Sequence, residues 1–214
     1  MGAESMSIIN TYLRKKITKD KSLHGVNVGD YMVDVKIGNV IYEIMPGHTK
    51  AFLNKLEYLV ENNFKVVVVM PIIRTQRTEF YNNEYELVAS RHLRKLGTFY
   101  DKFKDIYWLD KYIRNGQISI KLELIDLLKT KVKTKYNTSY GHDEQIVTGI
   151  KSELALNNKE DYKYFIKDLP KKFDYNDFVA NSKSGSNNLE DGIRQLLSLG
   201  LIVKDGEVFY KNEE

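Results

Sequence analysis

The sequence predicts an α/β protein: a mixed sheet crossed by a helix in its first half, then a small unit of helices closed by a β-hairpin. Three observations carry this. Two β-branched runs flank Gly38-Asn39 in YMVDVKIGNVIYEI. An amphipathic segment follows them, and FKVVVVMPI, residues 64–72, is apolar almost without interruption.

Taken in order, residues 7–17 place Ile8, Ile9, Tyr12, Leu13 and Ile17 on one side of a helix. Gly38-Asn39 is a two-residue turn signal, and such a loop fixes the register of its hairpin. Ile37 then faces Val40, Lys36 faces Ile41, Val35 faces Tyr42 and Asp34 faces Glu43. Alternation collects Val33, Val35, Ile37, Val40, Tyr42 and Ile44 on an uncharged face, which reads as the core face. Met32, Asp34, Lys36, Ile41, Glu43 and Met45 share the other. Thr49 reads as the N-cap of a helix ended by Asn62-Asn63, with Phe52, Leu53, Leu56, Leu59 and Val60 inward. The β-branched run after it reads as a strand buried on both faces. Hairpin, helix and buried strand in that order make a mixed sheet with a crossover.

Residues 74–86 are polar and read as a loop with some strand. Thr98-x-x-Asp101 resembles a capping box opening a helix through Tyr112, with the single tryptophan, Trp108, inside it. ISIKLELI, residues 118–125, alternates as a strand. Lys129, Lys131, Lys133 and Lys135 follow at every second position. If extended they line one side, either as a track for phosphates or as a solvated face. YNTSYGHD, residues 136–143, is the expected boundary between a domain at 1–135 and another at 138–214. Beyond it, helices are expected at 143–156, 161–170, 174–182 and 189–200, and a hairpin turning on Asp205-Gly206. Helices followed by such a hairpin form the winged-helix order.

A length of 214 residues allows one large domain or two small ones, and 42% hydrophobic with 29% charged residues is ordinary for a globular chain. Lys+Arg 33 against Asp+Glu 29 leaves +4, compatible with a nucleic-acid partner. The absence of cysteine excludes disulfides and thiolate-held zinc or iron–sulfur sites. Four scattered histidines argue against a histidine zinc site. No apolar run approaches the ~20 residues of a membrane span and no signal peptide is visible, so a cytoplasmic protein is expected. The opening MGAES reads as an addition ahead of a native start at Met6.

Asp34 and Glu43 pose the chemical question. Directly opposed side chains in an antiparallel pair lie ~4.5–5.5 Å apart, where like charges repel. Lys36, diagonal to Glu43, could offset this as an ordinary surface cluster contributing ~0–1 kcal/mol. A Mg²⁺ ion held between the two carboxylates is the other solution.

Here the first half resembles the PD-(D/E)XK nuclease superfamily, in which an Asp on one strand is followed across a short turn by Glu-x-Lys on the next. The matching residues are Asp34, Glu43-Ile44-Met45 and the strand VVVVM. More narrowly, it is similar to a prokaryotic restriction-endonuclease-like group whose pattern runs Glu-Ile-Gln-Thr-Gly, a basic helix and a strand ending in Pro-Ile. Glu43-Ile44-Met45-Pro46-Gly47, Lys55 and Pro71-Ile72 stand in those places, and Leu169-Pro170 precedes the winged-helix-like tail.

The resemblance implies a restriction-endonuclease-like mixed sheet with flanking helices and a Mg²⁺- or Mn²⁺-dependent DNA endonuclease of restriction or defence type. Asp34 and Glu43 would hold the metal, with the carbonyl of Ile44 or Met45 completing the site. Double-stranded DNA is the implied partner, with a homodimer as an option and no membrane. Val33 stands in place of the Pro of the family name, and Met45 stands where the superfamily has Lys. A thioether cannot replace that lysine. Lys36 is the first candidate substitute and Lys50 the second, while Lys55 reads as a solubilising residue; Lys50 and Lys55 could meet DNA. The tail would dock on duplex through Asn187, Asn188, Arg194 and Gln195, with Lys204 and Lys211 of the wing on phosphates. The competing expectation is a DNA-binding or regulatory protein on a nuclease scaffold that has lost its chemistry, and a third is a protein-interaction module.

Overall fold

Helix α1 (Ala3–Ile17) buries Ile9 and Leu13 completely against one face of a seven-stranded sheet. The computed structural model describes residues 3–45, 47–92, 96–133, 140–184 and 189–212. Strand β1 (His24–Val28) precedes the expected hairpin, β2 (Tyr31–Ile37) and β3 (Val40–Ile44). Helix α2 (Lys50–Glu61) starts at Thr49, whose Oγ1 accepts from the Phe52 N–H at 3.1 Å. It crosses to β4 (Lys65–Tyr81), which runs parallel to β3. Then come β5 (Leu87–His92), a 3₁₀ turn, α3 (Phe103–Trp108) and α4 (Asp110–Arg114). Strands β6 (Ile118–Lys133) and β7 (Tyr140–Leu156) complete the order β1-β2-β3-β4-β6-β7, with β5 added to β4 beyond the end of β3. The protein is α/β with a mixed sheet, as its sequence predicts.

Both faces of this sheet are covered. Ile44, Val69, Ile125 and Leu127 pack beneath α1, while Ile41, Met45, Val66 and Val68 join α2 and α3 in the larger core. The hairpin face expected to meet solvent is therefore buried beside α2: Ile41 is fully buried, and Glu43 and Met45 are each 1% exposed.

Two segments differ from expectation. The polar stretch expected as a loop with some strand is strand as far as Tyr81, because β4 finds backbone partners on both sides, in β5 and β6. Residues 143–156, expected to be helical, lie within β7. Their β-branched Ile146, Val147, Thr148 and Ile150 suit an extended chain, and β6 supplies a continuous ladder. Of the boundary expected at 136–143, residues 136–139 lie outside the described residues and 140–143 belong to β7, and one apolar core joins the sheet to the last third.

There a 3₁₀ segment (Lys159–Phe165) replaces the helix expected at 161–170, and it is followed by β8 (Lys172–Asp174), α5 (Tyr175–Ser182) and α6 (Leu189–Ser198). Strands β9 (Ile202–Asp205) and β10 (Val208–Lys211) pair so that Asp205 meets Val208. The turn is accordingly Gly206-Glu207, one residue later than expected, with Gly206 at φ +61°. Strand β8 adds to β10 as a third strand. No helix among the described residues is long and apolar enough to cross a membrane.

Helix α6 docks on α3 through Gly192. A Cβ there would meet the Phe103 ring at 2.5–2.8 Å. Helix propensity alone favours Ala over Gly by ~1 kcal/mol. Overpacking a core costs about 1–3 kcal/mol and should dominate here, because Phe103 is fully buried among Tyr100, Phe165 and Phe178. Gly192→Ala is expected to lower the melting temperature by several degrees; a rise would show that α6 is not seated this way.

Candidate functional site

The site is a fork in the sheet. The β2–β3 ladder pairs Ile37 with Val40, Lys36 with Ile41 and Val35 with Tyr42, the register that a two-residue turn imposes. Nearer its N-terminus β2 continues pairing with β1, Val33 opposite Val26. In the opening between β2 and β3 the two acids take over the ladder's work. The Asp34 N–H donates to Glu43 Oε1 at 3.3 Å, and the Ile44 N–H donates to Asp34 Oδ2 at 2.8 Å. Side-chain oxygens thus satisfy backbone donors that the opened ladder leaves without strand partners.

Their remaining oxygens face cations. Arg14, from the last turn of α1, grips Asp34 Oδ1 through Nε at 3.0 Å and through Nη2. Lys55 of α2 donates to Glu43 Oε2 and, at 3.3 Å, to the Met32 carbonyl. Burial is the main influence on Glu43 and pushes its carboxyl up to about 7, opposed by Lys55 and assisted by the charge of Asp34.

A cavity of about 520 Å³ opens on this fork, lined by Asn10, Asp34, Glu43, Ile44, Phe52 and Lys55 among others. Asn10 Oδ1 is buried and has no hydrogen-bond partner. Two carboxylates and an unsatisfied amide oxygen around one cavity are the hard oxygen donors that Mg²⁺ or Mn²⁺ takes, and water or a phosphate would fill the other positions. The donor set therefore fits a divalent ion, provided Arg14 and Lys55 yield part of their hold. Among the described residues, no three His, Cys, Asp or Glu side chains gather into a metal cluster.

The other expected residues fall elsewhere. Lys36 Nζ lies 5.9 Å from the Phe64 ring centre and not beside the acids. Met45 packs in the core with Val33 and Ile41 rather than lining the cavity, and Lys50 is exposed on the first turn of α2. Lys55, expected as a solubilising or DNA-contacting residue, is the lysine that reaches Glu43. It borders the inward stripe of Phe52, Leu56 and Leu59, which is the signal that could have found it.

In the tail, Asn187 and Asn188 lie outside the described residues, as do Pro46 and Lys135. Gln195, expected to contact DNA, is fully buried, and its amide donates to Asp110 Oδ1 at 3.0 Å. Lys211 is drawn to the Leu169 carbonyl and, at 3.3 Å, to that of Lys167. Arg194 pairs with Asp191 at 3.2 Å and Glu190 at 3.7 Å, and Lys204 sits 5.9 Å from the Phe209 ring centre. Gln195 and Lys211 are thus taken up by the fold, while Arg194 and Lys204 remain exposed.

The family described as Domain of unknown function (DUF8091) matches residues 9–157, a span holding the fork and the described strands of the seven-stranded sheet. No curated protein and no solved structure matches the chain.

Proposed function

We propose that this chain, which belongs to the family described as Domain of unknown function (DUF8091), is a Mg²⁺-dependent endonuclease acting on double-stranded DNA. The observation that carries this reading is Lys55: an amine from α2 stands at Glu43, in the cavity shared with Asp34, while the strand position of the motif lysine is Met45. The sheet with its fork is taken as restriction-endonuclease-like and the tail as winged-helix-like.

Asp34, Glu43 and Asn10 would hold the ion. When bound, it lowers the pKa of a water and neutralises charge on the scissile phosphate. Lys55 steadies charge developing beside Glu43. Arg14 presents a planar pair of donors that suits a phosphate as well as it suits Asp34.

A second reading, a DNA-binding or regulatory protein without cleavage, is favoured by one observation: each acid already has its own basic partner. Incubating supercoiled plasmid with the protein and Mg²⁺ or Mn²⁺, beside Asp34→Ala, separates the two. Metal-dependent nicking that vanishes in the variant is the expected outcome. Salt-sensitive binding without nicking supports the second reading, and the absence of both overturns each.

A further inference from the structure

Beyond Ile73 the sheet narrows to four strands, β5-β4-β6-β7, in which β4 and β6 stay paired as far as Tyr81 and Val132. The two faces of this arm differ in charge. One continues the row of Ile125 and Leu127, which pack beneath α1. Past Leu127 that row becomes Lys129, Lys131 and Lys133. Across the strands Thr78 pairs with both Lys129 and Arg91, and Phe80 with both Lys131 and Ala89. Arg91 extends over the Phe80 ring at 5.4 Å, which places a fourth cation on this face. The other face is mixed, with Arg77 paired to Glu79 at 2.6 Å and the Tyr81 hydroxyl donating to Glu79 at 2.8 Å.

We infer that the basic face of the arm is a track for the backbone of double-stranded DNA, which assigns the partner surface to the sheet and not to the tail. Spacing favours nucleic acid. Residues two apart on a strand advance ~6.6 Å, so the lysines form a regular row of charge, suited to a duplex that carries one phosphate per ~3.4 Å of each strand's axial length. Position favours it too. Strands β3 and β4 run parallel, the acid fork lies at the C-terminal end of β3, and β4 carries the arm onward in that direction. From Val69, beside Ile44, to Thr78, beside Lys129, is ~30 Å of strand, which corresponds to about nine base pairs of duplex. Arg14 at the fork projects from α1, the helix on the same side of the sheet.

This assignment rests on the nuclease reading for its choice of ligand, and its test is separable from it. Anisotropy of a short labelled duplex is titrated with the full chain over a series of salt concentrations. The proteins are the natural chain, the triple variant Lys129→Gln/Lys131→Gln/Lys133→Gln, Arg91→Gln alone and Arg77→Gln on the opposite face. Circular dichroism establishes that each is folded.

The triple variant should bind at least tenfold more weakly at low salt, with a salt slope smaller by about 2–3, and Arg91→Gln should lower that slope by about 1. Arg77→Gln should leave the slope unchanged. An unaltered slope in the folded triple variant overturns the assignment. So does a triple variant that loses binding to phosphatidylserine vesicles or polyglutamate while its duplex affinity stays intact. Asp34→Ala keeps the two questions apart: weak binding in the triple variant together with nicking by Asp34→Ala would sink the metal centre and leave the track standing.

Discussion

Lys55→Met should reduce metal-dependent nicking by two to three orders of magnitude, the loss typical when one preorganised donor to transition-state charge is removed. The lysine is held for this role. It emerges from the inward side of α2, donates to Glu43 Oε2 and to the Met32 carbonyl, and lines the same cavity as Asp34. The converse substitution should not restore the superfamily pattern. Met45 is 1% exposed in the core beside Val33 and Ile41, so Met45→Lys would bury an ammonium among apolar side chains while the nearby Glu43 is already held by Lys55. That costs several kcal/mol and is expected to unfold the protein rather than improve it. Plasmid nicking by folded Lys55→Met, with melting of both variants as control, checks the pair. Full activity in Lys55→Met, or a stable and faster Met45→Lys, would contradict the assignment of the amine.

The second large effect concerns stability. The Glu43 carboxyl moves from an ordinary 4.5 to about 7 in the folded protein. Between those values the folded chain keeps a proton that the unfolded chain has released. Stability therefore falls as pH rises through that window and stays reduced above it. A shift of that size corresponds to about 3 kcal/mol. Glu43→Gln removes the ionisable group while keeping an acceptor for Lys55 and for the Asp34 N–H. Denaturant unfolding should find the variant close to the natural protein at pH 5 and more stable by up to about 3 kcal/mol at pH 8, although inactive. Equal differences at both pH values would mean that burial does not burden Glu43 in this way. Function held at the expense of stability is the usual signature of a working site.

Much of the fork was legible because turn chemistry acts locally. Gly38-Asn39 sets the register by itself as far as Val35 and Tyr42; Asp34 and Glu43 lie beyond the last pair and meet through their side chains instead. Thr49 marks the start of α2 by its own hydrogen bond. What escaped depends on partners distant in sequence. Arg14 and Lys55 come from helices 20 and 12 residues away from the acids they bind, and nothing in a helical pattern says which strand a flanking cation will meet. The β7 segment fits a helix by sequence because its apolar residues satisfy a helical spacing as well as an alternating one, and only β6 decides between them. Gln195 looked outward on an amphipathic helix until Asp110 of α4 appeared beneath it. The charges of Asp34, Lys36 and Glu43 made their whole hairpin face look solvated, yet Ile41 and Met45 on it are core.

Everything turns on whether the fork takes a divalent ion in place of the grip of Arg14 and Lys55. Crystals soaked in Mn²⁺ and measured for anomalous scattering answer this directly. A peak between Asp34 and Glu43 within reach of Asn10 Oδ1, with at least one of the two cations drawn back, is the predicted result. Both carboxylates still bound to Arg14 and Lys55, with no peak between them at saturating Mn²⁺, would contradict it.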